Sequence, residues 1–137
     1  MIDQTEIHHF SEAHYHLAMQ AAGVGMWDWD ILHDKQFWNE ECRAILGVSP
    51  KAEASLAHFM ELVHPGDRRR VQEHLAESMQ KRIKQNVEYR IIWPDGSLHW
   101  AEAKGTFLFD EQGQAVRLLG VIFDITAQKE AELAQLG

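Results

Sequence analysis

A chain of 137 residues with one cysteine, Cys42, can neither close a disulfide within itself nor assemble a cysteine-based zinc site. The lone thiol fits a reducing, cytoplasmic setting. Long apolar runs are also missing. The longest near-continuous one, Leu118 to Phe123, falls far short of the ~20 residues that span a bilayer, and no signal peptide is visible, so direct membrane insertion is not expected. Positive charge is scarce as well: against a formal net charge of −8, the only basic cluster is Arg68, Arg69 and Arg70. That cluster reads as a solvated helix face, too small to release counterions from a phosphate backbone, so no nucleic-acid partner is expected. No internal repeat, low-complexity tract or linker interrupts the chain. Nor does any local motif join a nucleophile to a base or pair carboxylates in a cleft, so the segment is not expected to be an enzyme.

What is present is core material. Five tryptophans, six phenylalanines and two tyrosines, within a composition 45% hydrophobic, suffice for one packed domain and not for two. Val87 to Thr126 reads as three consecutive strands. Val87, Tyr89, Ile91 and Trp93 alternate before a Pro94-Asp95-Gly96-Ser97 turn; Leu98 to Phe109 follow, then the turn Asp110 to Gly113 and a third strand, Ala115 to Ile125. Upstream, Ile7, Phe10, His14, Leu17 and Ala21 recur at spacings of three and four over a predicted helix from Ile7 to Ala22. That stripe is either an intermolecular seam or the contact of a helix lying across its own domain. Beyond Gly23 and Gly25 comes a strand with Trp27 and Trp29 on one face and Asp28 and Asp30 on the other, then a short strand around Gln36 to Trp38. Three helices are predicted next: one capped by Asn39 and ended by Gly47, one capped by Ser55, and one opened by Pro65 and running to about Arg82. The expected fold class is α+β, a five-stranded antiparallel sheet with short helices on one face. Its expected segments are an N-terminal amphipathic helix (1–22), the domain proper (23–126) and the start of a C-terminal linker helix (127–137).

Several short motifs occur in an order and spacing that resemble a PAS domain. They are G-V-G-M-W-D-W-D-I at Gly23 to Ile31, I-L-G at Ile45 to Gly47, H-P-G-D-R at His64 to Arg68, E-Y-R at Glu88 to Arg90, D-G at Asp95 and Gly96, Trp100, and D-I-T at Asp124 to Thr126. The resemblance implies a sensory and interaction domain of a larger signalling protein such as a sensor histidine kinase or a diguanylate cyclase. It also implies that the junction at Asp124 passes the signal onward.

Small side chains at Ala101, Ala103 and Gly105 share one strand face and leave room for a ligand pocket, with Trp27, Trp29 and Tyr89 as walls; a fully packed core is the alternative. No cofactor is assigned. In PAS domains that hold haem, a histidine on the long central helix is the ligand, but His74 falls at the edge of the stripe made by Val71, Leu75 and Met79, so haem is not expected. Covalent flavin attachment in the light-sensing subclass uses an N-C-R-F-L-Q context; Glu41 to Leu46 reads E-C-R-A-I-L, so Cys42 reads as a small core residue. Among His8, His9, His14 and His16 no pair shares a face with an acidic partner, and no metal site is expected. His64, before Pro65, reads as a helix-entry residue. A contact from Asp124 to Arg90, with Thr126 beside it, is the expected signal relay; Asp124 as a simple helix cap is the alternative. Ile7, Phe10, Leu17 and Ala21 are the expected seam of a homodimer, and the alternative functions are a ligand-free protein–protein interaction module and, behind it, a haem-binding sensor.

Overall fold

The computed structural model describes residues 12–136. In chain order the elements are α1 (Glu12–Ala21), β1 (Gly25–Asp30), β2 (Lys35–Trp38), α2 (Glu40–Leu46), α3 (Leu56–Leu62), α4 (Pro65–Lys81), β3 (Gln85–Ile92), β4 (Leu98–Phe109), β5 (Ala115–Asp124) and α5 (Thr126–Leu136). The strands form one antiparallel sheet in the order β2-β1-β5-β4-β3. This is the expected α+β architecture. The C-terminal meander supplies three neighbouring strands, and the N-terminal hairpin adds itself to the free side of β5.

Local chemistry explains the helix ends. Asn39 caps α2, its Oδ1 accepting from the Cys42 N–H at 2.9 Å, and the same oxygen accepts from the Met26 N–H at 2.8 Å, so one side chain both starts the helix and ties it to β1. Ser55 caps α3 through the His58 N–H at 3.1 Å. His64 stands at the head of α4, where its Nδ1 accepts from the Gly66 N–H at 2.9 Å and Pro65 occupies the first turn. Arg68 spends its guanidinium on the carbonyls of Val63 and Glu61, and Arg69 pairs with Glu73.

Helices α2 and α4 bury Cys42, Ile45, Leu46 and Val71 against Val87, Tyr89, Ile91, Ala101, Ala103 and Ile122 of the sheet. A second cluster joins Trp29, Phe107, Ala115 and Leu118, with Leu75 and Met79 of α4 packed over it. Burial on this scale, at roughly 25 cal/mol per Å² of apolar surface, is what offsets the entropy of ordering the chain. Boundaries differ from expectation by a residue or two. β3 begins at Gln85, and Trp93 leaves the strand for the turn, its Nε1 donating to the Ile45 carbonyl at 3.0 Å. The described part of the N-terminal helix ends at Ala21, followed by Gly23 at φ 68°.

One ion pair fixes α4 to the sheet. Asp67 is 6% exposed, and its carboxylate accepts from the Arg90 backbone N–H at 2.8 Å, from Nε at 3.0 Å and from Nη2 at 2.7 Å. Hydrogen bonds from Arg90 hold the Asp67 carboxyl below its usual range, more than offsetting the effect of burial. A carboxyl that titrates lower when folded contributes stability in full above its unfolded pKa, about 3.9, and loses it as the pH falls through the folded value. Asp67→Ala is therefore expected to cost about 3 kcal/mol at pH 7, the low end for breaking a buried pair because Arg90 keeps some contact with water. In urea titrations the gap between variant and wild type should narrow below about pH 4; a gap independent of pH would show that the pair contributes nothing through its charge.

Candidate functional site

Strand β1 delivers two tryptophans to the inner face of the sheet. Trp29 is 8% exposed and donates from Nε1 to Asp34 Oδ1 at 3.1 Å. Trp27 lies across β5 and β4 at the point where Gly120 and Gly105 pair in register. A Cβ at Gly120 would run into the Trp27 indole and stand 2.6 Å from the Lys104 carbonyl oxygen; one at Gly105 would stand 2.8 Å from Trp27 Cη2. The glycine pair is thus the floor on which the indole rests. On the opposite face Asp28 forms a two-pronged bond with Arg117, both contacts at 2.8 Å, and Asp30 binds His33.

Between this face and the helices is a partly open cavity of about 50 Å³. Its walls are Trp27 and Trp29 of β1, Gln36 and Trp38 of β2, Cys42 and Leu46 of α2, Leu56, Phe59 and Met60 of α3, Val71 and Leu75 of α4, and Gln85, Tyr89, Ala103, Leu118 and Ile122 of the meander. Phe59 meets the Tyr89 ring edge-on at 5.3 Å between centroids. The space is small: an apolar cavity of about 150 Å³ holds one benzene, and pockets for drug-sized ligands run from about 300 Å³. A guest of more than a few atoms must move a wall. The wall that can yield is α3, which has no buried residue of its own.

No Asp, Glu, Lys, Arg or His lines this cavity. The two titratable groups that do are neutral, since burial pushes the Cys42 thiol up to about 12 and raises the Tyr89 phenol well above its ordinary value. A thiol so held is not a nucleophile. Of the pocket residues expected from the sequence, the fold brings Trp27, Trp29, Tyr89 and Ala103 together on the cavity. Ala101 and Gly105 are not among the walls. Ala101 is 0% exposed and packed into the core beside the cavity, and Gly105 lies beneath the edge of Trp27. Alternation along β4 placed both on the right face but carries no information on depth.

His74 points to the start of β3, its Nε2 accepting from the Asn86 N–H at 3.2 Å, while Val71 and Leu75 of the same helix reach the cavity. The described residues contain no group of three or more His, Cys, Asp or Glu that could hold a metal, and no helix among them is long and apolar enough to cross a membrane. His8 and His9 lie outside the described residues.

Comparison with known proteins decides the family, for the family model described as PAS fold matches residues 35–122. The chain belongs to the PAS fold family. Among its relatives is the sensor protein FixL of Bradyrhizobium diazoefficiens, 28% identical over 87% of this chain and 24% of that protein. The probable diguanylate cyclase DgcE of Escherichia coli is 28% identical over 83% of this chain and 10% of that protein. A sensory box histidine kinase/response regulator from Burkholderia thailandensis, solved as a crystal structure, superposes with a TM-score of 0.77 at 29% identity, covering 88% of this chain and 91% of that one. The chain thus spans a quarter or less of the two curated relatives.

The exit from the PAS sheet is built differently from the expected Arg90 to Asp124 contact. Arg90 is committed to Asp67, which satisfies three donors of that one residue. Asp124 Oδ1 accepts from the Thr126 backbone N–H at 2.9 Å and from its Oγ1 at 2.6 Å, the capping alternative. Helix α5 is held by β4 and β3 instead. The Ile125 N–H donates to the Trp100 carbonyl at 3.0 Å, the Trp100 N–H donates to Thr126 Oγ1 at 3.0 Å, and Lys129 pairs with Glu88 at 3.0 Å. Arg90 and Lys129 both lie against the Trp100 ring, at 5.8 and 5.2 Å from its centre. Of the expected dimer seam, Ile7 and Phe10 lie outside the described residues, whereas Leu17 and Ala21 are exposed on α1.

Gly120→Ala tests the floor of the site. The new methyl meets both an indole and a backbone carbonyl that cannot withdraw, so the variant is expected to lose about 2 kcal/mol and to shift its tryptophan emission as Trp27 is lifted. Wild-type stability with unchanged emission would mean that Trp27 does not rest on the glycine pair.

Proposed function

We propose that this PAS domain senses a small molecule held between its sheet and helices, and passes the state of that cavity through β3 and β4 to α5. From there the signal reaches an output domain of the parent protein, such as a histidine kinase or a diguanylate cyclase, the activities named among its relatives. One observation carries this reading. Tyr89, a cavity wall, is flanked on β3 by Glu88, which holds Lys129 of α5, and by Arg90, which lies against Trp100. Residues adjacent in a strand point to opposite faces, so a displacement of Tyr89 by a guest moves the two side chains that position the exit helix. Asp124 and Thr126 serve in this relay as the cap that makes α5 start at a fixed place at the end of β5, beside β4.

The test uses the cavity itself. Ala103→Leu places a larger side chain where the ligand would sit. It is expected to remove any ligand mass seen by native mass spectrometry of the freshly purified protein, and to alter hydrogen exchange along Lys129 to Leu136. If exchange in α5 is the same with the cavity open and filled, the cavity and the exit helix are not coupled.

Dimerisation is the second reading, favoured by α1. That helix has no buried residue among those described, and Leu17 is 63% exposed, so its stripe is available to a second copy. We propose a homodimer in which Ile7, Phe10, Leu17 and Ala21 meet their counterparts. Leu17→Glu is expected to release monomers in sedimentation experiments, since a buried unpaired carboxylate is costly. An unchanged sedimentation coefficient would remove α1 from the interface.

A further inference from the structure

Gln85 opens β3 and is 7% exposed. Among the described residues its Oε1 is the one buried side-chain oxygen or nitrogen left without a hydrogen-bond partner. A buried acceptor without a donor costs folding stability, and an apolar side chain of the same length would avoid the cost. The oxygen lies on the inner face of the sheet. It is 3.1 Å from the point a Cβ on Gly105 would occupy, the same point that stands 2.8 Å from Trp27 Cη2, and Gln85 is one of the cavity walls. The other glutamine of the cavity is already engaged, since Gln36 Oε1 accepts from Trp38 Nε1 at 2.8 Å. The rest of the lining is aromatic, aliphatic or held neutral by burial.

We infer that the cavity selects a neutral, largely apolar small molecule that carries a hydroxyl or N–H group, and that this group donates to Gln85 Oε1. The inference rests on the small-molecule reading proposed above and specifies its chemistry. Selection against charge follows from the walls, because a carboxylate or an ammonium would be buried there with no counter-ion. Selection for a donor follows from Gln85, because a guest without one leaves the amide oxygen unsatisfied. The aromatic walls favour a flat guest, and the yielding α3 side, with Phe59 and Met60, is where the room for it is made.

Three probes with the same ring separate these contributions: phenol, benzene and benzoate, titrated into the 137-residue chain and followed by tryptophan fluorescence and calorimetry. Phenol is expected to bind about fivefold or more tightly than benzene, and benzoate more weakly than either. Gln85→Leu should bring phenol to the affinity of benzene while the ligand-free protein melts no lower than wild type; Gln85→Met serves the same purpose should leucine not be accommodated. Equal affinities for phenol and benzene in the wild type, as a retained water beside the amide would give, would overturn the assignment of Gln85. A phenol preference that survives both substitutions, or benzoate as the tightest probe, would do the same. In each of those cases ring binding continues and the small-molecule reading stands. Binding of none of the three probes to the wild type overturns both.

Discussion

Three donors of one arginine converge on one carboxylate, and the geometry of the domain depends on that convergence. Asp67 sits in the first turn of α4, and Arg90 sits in the middle of β3. Because the carboxylate takes the Arg90 backbone N–H as well as two guanidinium donors, it fixes strand and side chain together. The His64 N–H completes the clamp by donating to the Arg90 carbonyl at 2.8 Å. Val71 and Leu75 follow Asp67 at one and two helical turns, so the clamp sets how far the long helix stands off the sheet. That distance is the depth of the cavity. Arg90 also lies against Trp100, so the residue that clamps α4 to the sheet borders the anchor of α5.

Much of this was legible in the sequence where the determinants are local. Asn39, Ser55 and Pro65 announce their helices because a cap is decided within four residues, and the meander is legible because alternation and turn chemistry repeat along it. The inward face of β1 was readable for the same reason, and with it Trp27 and Trp29. What was not legible depends on pairings distant in the chain. The choice of Asp67 over Asp124 as the partner of Arg90 is made by where α4 docks, and no spacing between residues 67 and 90 encodes that. Ala101 and Ala103 look alike in the sequence, yet only one reaches the cavity, because depth is set by the helices opposite.

The residues missed altogether have faint signals. Trp38 and Gln36 were read only as a short strand; their role follows from β2 pairing with β1, which brings Trp38 opposite Trp27. Gln85 lies before the alternating pattern of Val87, Tyr89 and Ile91, and continuing that pattern back by one step would have placed a polar side chain on the buried face. Such an inconsistency between local pattern and residue type is the mark of a position kept for something other than packing.

Cys42 turns the wall of the cavity into a clock. It is the only cysteine of the chain, 1% exposed, with its thiol pushed up to about 12 by burial, so a thiol reagent reaches a reactive sulfur only when α2 lifts away from β1. Access for the reagent and access for a guest are then governed by motions around the same space. The labelling rate of this one atom counts those openings, and a molecule that holds the cavity shut will slow the count without ever touching the sulfur.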